Sequence, residues 1–280
     1  MLYDSHAHLN NDAFSEEERA AFISSVEDAV KKGLLSYVND IGFDLASSKM
    51  AADHAKEYSW CYAAVGCHPH DTKDFDEMQL AMIKAIAKKE KVQAIGEIGL
   101  DFHYDHSDRD IQRYWFRRQI QLANELHMPI VIHSRAADQE CLQILKEEGA
   151  FSAERQSWFP KRPGPEGELP DSRVLLHCFS GSAELGSQYI KLGGTLSMAG
   201  PLTYKNNRKG VDVAERIPIE FLLVETDSPY LTPEPHRGKK NRPEFVQFTA
   251  HRLAEIKQLS FEETARITRE NALRFFGIEG

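Results

Sequence analysis

The chain is short of cysteine, of long apolar runs and of net positive charge, and each shortage removes a class of protein. Four cysteines in 280 residues (Cys61, Cys67, Cys141 and Cys178), with no CxxC pair among them, do not make a disulfide framework and suit a reducing cytoplasm. No apolar run approaches the roughly 18 residues of a spanning helix, so no membrane association is expected. The opening MLYDSHAHLNND has neither the basic start nor the apolar core of a signal peptide, which argues against secretion. Lysine and arginine number 34 against 43 acids, a net charge of -9, which speaks against non-specific wrapping of nucleic acid. A nuclease stays open, because bound ions add charge that a residue count misses. There is no Gly-rich phosphate turn after the first strand, no Walker loop, no dinucleotide fingerprint and no GxSxG elbow. Cys178 has no thiolate-activating context beyond His177. No repeat with a period of about 20–50 residues is found.

What is present is enough apolar residue, 41%, for a large core, which excludes disorder. Eight short apolar runs recur: Leu2–Ser5, Leu35–Ile41, Trp60–Gly66, Val92–Glu97, Pro129–His133, Val174–His177, Gly194–Met198 and Phe221–Glu225. They are apolar on both faces, as buried parallel strands are. Helical patterns lie between them, such as Glu16–Lys32 and Asp108–Leu126. Eight strands alternating with helices predict an α/β fold, a (β/α)8 TIM barrel forming one domain over residues 1–280. A doubly wound open sheet is the rival architecture. The Pro/Gly-rich segment Phe151–Asp171 reads as a surface loop insertion on the face opposite the active site. Helices over Phe245–Lys257 and Phe261–Phe276 are expected to cover the barrel; the second opens with a capping-box signature, Ser260 to Glu263.

The acids and histidines fall at the ends of these strands. His6 and His8, two apart on an extended strand, point the same way and can grip one cation. His68, Glu97, His133, His177 and Asp227 each follow or end a predicted strand, and in barrel enzymes those ends converge on one pocket. Histidine suits transition metals and a carboxylate can bridge two ions. Seven groups exceed what one tetrahedral ion needs, so two divalent ions are expected. His6, His8, Glu97 and Asp227 would hold the first, and Glu97, His133 and His177 the second. A hydroxide bridging them would be the nucleophile, oriented by Asp227, which would also accept a proton. The run His236–Arg242, which contains Lys239 and Asn241, holds four cations and follows the eighth strand. It can draw in a nucleic-acid backbone or serve as an ordinary solvated loop. Tyr204 and its cationic neighbours can add a surface for stacking an unpaired base.

The series DSHAHL (4–9), GCHPH (66–70), AIGEIGLD (94–101), PIVIHSR (129–135), HCFSG (177–181), ETDSPYL (225–231) and NALRFFGI (271–278) resembles the TatD-type metal-dependent deoxyribonucleases of the amidohydrolase superfamily, nearly end to end. The resemblance implies hydrolysis of DNA phosphodiesters, with exonuclease action on single strands favoured. It implies two divalent ions, magnesium in function, with zinc, manganese or nickel as occupants in crystals. It carries over metal-ligand positions to His6, His8, Glu97, His133, His177 and Asp227. It also suggests that His68 sits near the scissile phosphate as donor or proton shuttle, with a turn-stabilising role before Pro69 as the alternative. Arg135 would present a planar fork to phosphate, or else form a rim salt bridge. Glu225 would support a metal-bound histidine. Glu97 stands where related amidohydrolases can carry a carboxylated lysine, which favours the nuclease-like branch. His103 departs from the family's aromatic pair after GLD, and Arg242 from its usual acid. The rival readings are a hydrolase of small amides, lactones or phosphoesters on the same barrel, and a non-catalytic metal- or partner-binding barrel. No obligate protein partner is expected.

Overall fold

The computed structural model describes residues 1–279. Its main sheet is formed by β1 (Leu2–Ala7), β2 (Leu35–Ile41), β3 (Cys61–Val65), β4 (Val92–Asp101), β5 (Ile130–Arg135), β8 (Val174–Leu176), β9 (Gly194–Met198) and β10 (Leu222–Val224). All neighbours are parallel and follow one another in that order. The intervening helices are α1 (Glu16–Lys31), α2 (Leu45–Glu57), α3 (Glu77–Ala87), α4 (Arg109–Glu125), α5 (Asp138–Glu147), α7 (Ala183–Lys191) and α8 (Arg208–Arg216). The ring shuts where β1 meets the segment after β10: Asp227 N donates to His6 O at 2.9 Å and His8 N to Ser228 O at 2.8 Å. This is an eight-stranded TIM-type barrel. Side-chain caps by Ser15, Asp44, Asp76, Asp108 and Ser182 open α1, α2, α3, α4 and α7, satisfying amides that a helix start leaves unpaired.

Two apolar layers follow from strands that are buried on both faces. The outer layer lies between sheet and helices. The inner layer, with Tyr3, Ile41, Ala64, Ala94, Val131, Leu175 and Leu223, fills the lower barrel. It is closed from below by α10 (Phe261–Phe276), whose Phe276 stacks on Tyr3 with ring centroids 5.9 Å apart. The other C-terminal helix, α9 (Val246–Lys257), packs beside α10. With the lower barrel filled, the histidines and acids that follow the strands converge at the upper, C-terminal strand ends.

The segment from Phe151 to Asp171 is more ordered than its composition predicts. It holds α6 (Ala153–Ser157) and a hairpin of β6 (Arg162–Gly164) and β7 (Gly167–Leu169). Two of its arginines are fully buried. Arg155 donates to Ser172 O, Asn124 Oδ1 and Met128 O at 2.7–2.8 Å, and Arg162 donates to Gly194 O and Ile190 O. These acceptors lie at the starts of β5, β8 and β9 or at the ends of the helices that precede them, so the segment braces the lower rim. A sequence rich in Pro and Gly carries no sign of this, because the partners are distant carbonyls.

Candidate metal centre

Strand β1 delivers His6 and His8 from alternate positions, and the closing seam sets Asp227 beside them. His6 Nε2 stands 3.3 Å from His8 Nε2, 3.4 Å from Glu97 Oε2 and 3.7 Å from Asp227 Oδ1. His8 Nε2 lies 3.8 Å from Glu97 Oε2 and 3.4 Å from Asp227 Oδ1. Four ligands about 2.1 Å from one cation in a tetrahedron stand about 3.4 Å apart. The atoms of His6, His8 and Glu97 are thus spaced as three ligands of one ion would be, and Asp227 Oδ1 stands at a similar distance from both histidines. Without an ion the nitrogen–nitrogen contact can share one proton, which an ion held by both rings would displace.

The other oxygen of Glu97 faces a second group. Oε1 is 2.8 Å from His133 Nδ1 and 2.7 Å from His177 Nε2, and these nitrogens are 3.5 Å apart. Those two contacts to Glu97 are at hydrogen-bond length, so a cation taking the second position displaces two protons. His68 Nε2 stands 3.7 Å from the same oxygen. Glu97 is therefore the one side chain shared by both groups.

Glu97 is not at the end of its strand, as the sequence reading had it. β4 runs four residues further, to Asp101. Gly99 makes this continuation possible: a Cβ there would lie 1.9 Å from His133 O, so only glycine lets β4 lie this close to β5. Asp101, two positions further along, escaped the sequence analysis as a site residue. Its Oδ2 accepts from His133 Nε2 at 3.1 Å and His70 Nε2 at 2.9 Å, and its Oδ1 accepts the amides of His103 and Tyr104. The signal was available, because Glu97, Gly99 and Asp101 share one strand face. Asp101 holds His133 with Nδ1 turned to Glu97. Glu225 stands 3.3 Å from His177 Nδ1 and accepts the Cys178 amide, and His8 Nδ1 lies 2.9 Å from Ile41 O. Such partners fix which ring nitrogen is presented.

Electrostatics reflect this crowding. Burial pushes the Glu97 carboxyl up, but His177, His68 and His133 overcome it and hold the group well below the usual carboxylate range. Asp227 is likewise raised by burial and then brought below its ordinary value by His8, His177 and His6. Burial lowers His8, His133 and His177, yet their carboxylate neighbours win and carry all three above the normal imidazole value. His6 and His68 go down: burial dominates, reinforced by His177 for His6 and by His133 for His68. His68 accepts the His70 amide at Nδ1, so as a neutral ring it carries its proton on Nε2, facing the centre.

The substrate contacts expected from sequence divide. Arg135 is exposed at the end of β5 with its guanidinium 4.5 Å from the Tyr104 ring centroid; it makes no ion pair among the described residues. Lys239 is exposed after β10, its carbonyl accepting Thr232 Oγ1. Asn241 does not fit a substrate contact. It is fully buried, its amide nitrogen donates to Thr226 O and Tyr230 O, and its oxygen accepts the Arg242 amide. Every polar atom of that side chain is occupied in bracing the loop after β10. Tyr204 is half-buried, with its hydroxyl donating to Thr232 O and Arg237 lying 4.4 Å from its ring centroid.

Known proteins resemble the chain along its whole length. The model of the family described as TatD related DNase matches residues 3–277. The chain belongs to that family. YabD of Bacillus subtilis, described as an uncharacterized metal-dependent hydrolase, is 42% identical over 278 residues, 99% of this chain and 100% of its own length. YcfH of Escherichia coli, described in the same words, is 31% identical over 100% of this chain and 97% of its own. The solved structure of YjjV, a TatD homologue from Escherichia coli, has a TM-score of 0.83 at 25% identity, covering 99% of this chain and 98% of that one. This TatD-family chain is a metal-dependent hydrolase with buried His and Glu clusters that could hold metal. No helix among the described residues is long and apolar enough to cross a membrane.

Proposed function

We propose that the chain hydrolyses DNA phosphodiester bonds in the cytoplasm, acting as an exonuclease on single strands, with two divalent ions, magnesium in function. The observation that carries this reading is the shared Glu97, whose two oxygens face two separate ligand groups. His6, His8, Glu97 and Asp227 would hold one ion; Glu97, His133 and His177 would hold the other. Such a pair supplies Lewis acidity and lowers the pKa of water, as in known two-metal hydrolases. The chain's own residues do the rest. Asp227, exposed enough to meet a water, orients it and takes its proton. Neutral His68 donates a hydrogen bond from Nε2 to a phosphate oxygen or to the leaving oxygen. Arg135 and Lys239 attract the backbone of the strand. The test is hydrolysis of an end-labelled single-stranded DNA after chelation, then with added magnesium or manganese. Cleavage restored by metal, with a ladder that shortens from one end, supports the reading. Intact DNA with metal bound would instead direct attention to small esters and amides.

Replacing His68 by glutamine is expected to lower kcat about 10²–10⁴-fold, the range for loss of a positioned proton donor, while metal stoichiometry is kept. Loss of bound metal in the variant would make His68 a ligand instead. A second expectation follows from the raised histidines. His8, His133 and His177 hold protons that divalent ions must displace, so loading at about pH 6.5 releases protons and apparent affinity climbs with pH. Calorimetry in two buffers of different ionisation enthalpy reads that release directly. No net release would contradict the ligand set.

A further inference from the structure

Among the described residues three large aromatic side chains, Tyr104, Tyr114 and Tyr230, are exposed by half or more. Tyr114 is on the outer face of α4 with its hydroxyl on Glu77. The other two flank the metal centre. Tyr230 is 54% exposed; its amide donates to Asp227 O and its ring centroid is 6.1 Å from that of His8. Tyr104 is 50% exposed; its amide donates to Asp101 Oδ1 and its ring centroid is 5.6 Å from that of His70. Between them runs a string of imidazoles, His8, His6, His177, His133, His68 and His70, each centroid within 5.7 Å of the next. The two tyrosines stand at opposite ends of that string.

Both are held in place. Tyr230 accepts from Asn11 Nδ2 at 2.7 Å, and Tyr104 is steadied by Arg135, 4.5 Å from its ring centroid, and by the parallel ring of His106 at 5.6 Å, which leave half of the side chain exposed. A ring fixed beforehand loses little freedom on binding. We propose that Tyr104 and Tyr230 are platforms on which two unpaired bases stack, one on each side of the phosphate to be cut, and that they select single strands. A base in a duplex already stacks on its neighbours and must be pulled out before it can lie on a protein ring. This rests on the nuclease reading of the same centre and adds what that reading lacks, a physical basis for strandedness.

The test uses the calcium-loaded full chain with two fluorescent oligonucleotides of equal length, oligo-dT and an abasic strand, with strand integrity checked on a gel. Anisotropy is expected to show oligo-dT bound at least about fivefold more tightly than the abasic strand, and up to about 150-fold for each ring engaged. In Y104A, Y230A and the double variant the ratio falls stepwise toward one. Y230F, which keeps the ring, holds the wild-type ratio. Thermal melts identify any variant that fails to fold, and Y104A at an exposed site remains informative if Y230A does. Variants that keep the wild-type ratio would overturn the proposal. Equal binding of both strands by the wild type would overturn stacking and leave phosphate recognition standing. Binding of neither strand would remove the nuclease reading itself.

Discussion

Glu97→Ala is expected to lose both ions and to reduce hydrolysis by far more than 100-fold, to the background of the folded, metal-poor protein. The size follows from its position. Losing a partner that merely orients a metal-bound histidine, as Asp101→Asn or Glu225→Gln would, costs roughly 10–100-fold in affinity or activity. Glu97 instead faces both ligand groups and anchors five imidazoles: His6, His8, His68, His133 and His177. Without its charge those histidines have only Asp227 and the outer carboxylates to balance them. Metal content by mass spectrometry and cleavage of end-labelled DNA check the prediction together. A variant retaining two ions per chain and wild-type turnover would refute the shared-ligand assignment.

Arg155→Met is expected to cost about 3 kcal/mol although the residue is far from the metal centre. It deprives Ser172 O, Asn124 Oδ1 and Met128 O of their donor in a fully buried place. Each orphaned acceptor costs about 1–3 kcal/mol, partly offset because a buried charge no longer has to be desolvated. Burial, the largest influence, already pulls the Arg155 guanidinium down to about 9, a sign of how strongly the site resists charge. At roughly 2–4 °C per kcal/mol for a chain of this size, the melting temperature should fall by about 6–12 °C. Turnover at low temperature should stay near that of the wild type. A melting temperature within a degree of wild type would show that the 151–171 segment braces nothing.

The barrel was legible because its signal is local: eight apolar runs with helical patterns between them. The histidines and acids were legible as candidates for a similar reason, since each lies in or just after an apolar run, although the end of β4 was misplaced. What escaped depends on partners far along the chain. Asn241 sits in a run of cations and looks like surface, but Thr226 and Tyr230 take its amide and bury it. Arg155 and Arg162 sit among prolines and glycines and look solvated, but carbonyls from neighbouring barrel units draw them in. Asp101 was passed over because the strand was expected to stop at Glu97. The close approach at Gly99 that carries it on is a property of two strands together. Tyr104 and Tyr230 had no distinguishing context, since exposure beside a metal centre exists only in three dimensions.

The seam where the ring closes has a consequence for the order in which the molecule comes to life. His6 and His8 are made first, Asp227 more than two hundred residues later, and the same backbone bonds that join the first strand to the last segment bring these three side chains together. A chain still emerging from the ribosome, or one truncated before residue 227, carries most of the ligands but cannot assemble the cage. Assembly of the proposed ligand set thus waits for the last strand and the segment after it, and a fragment that ends before Asp227 lacks one of its members.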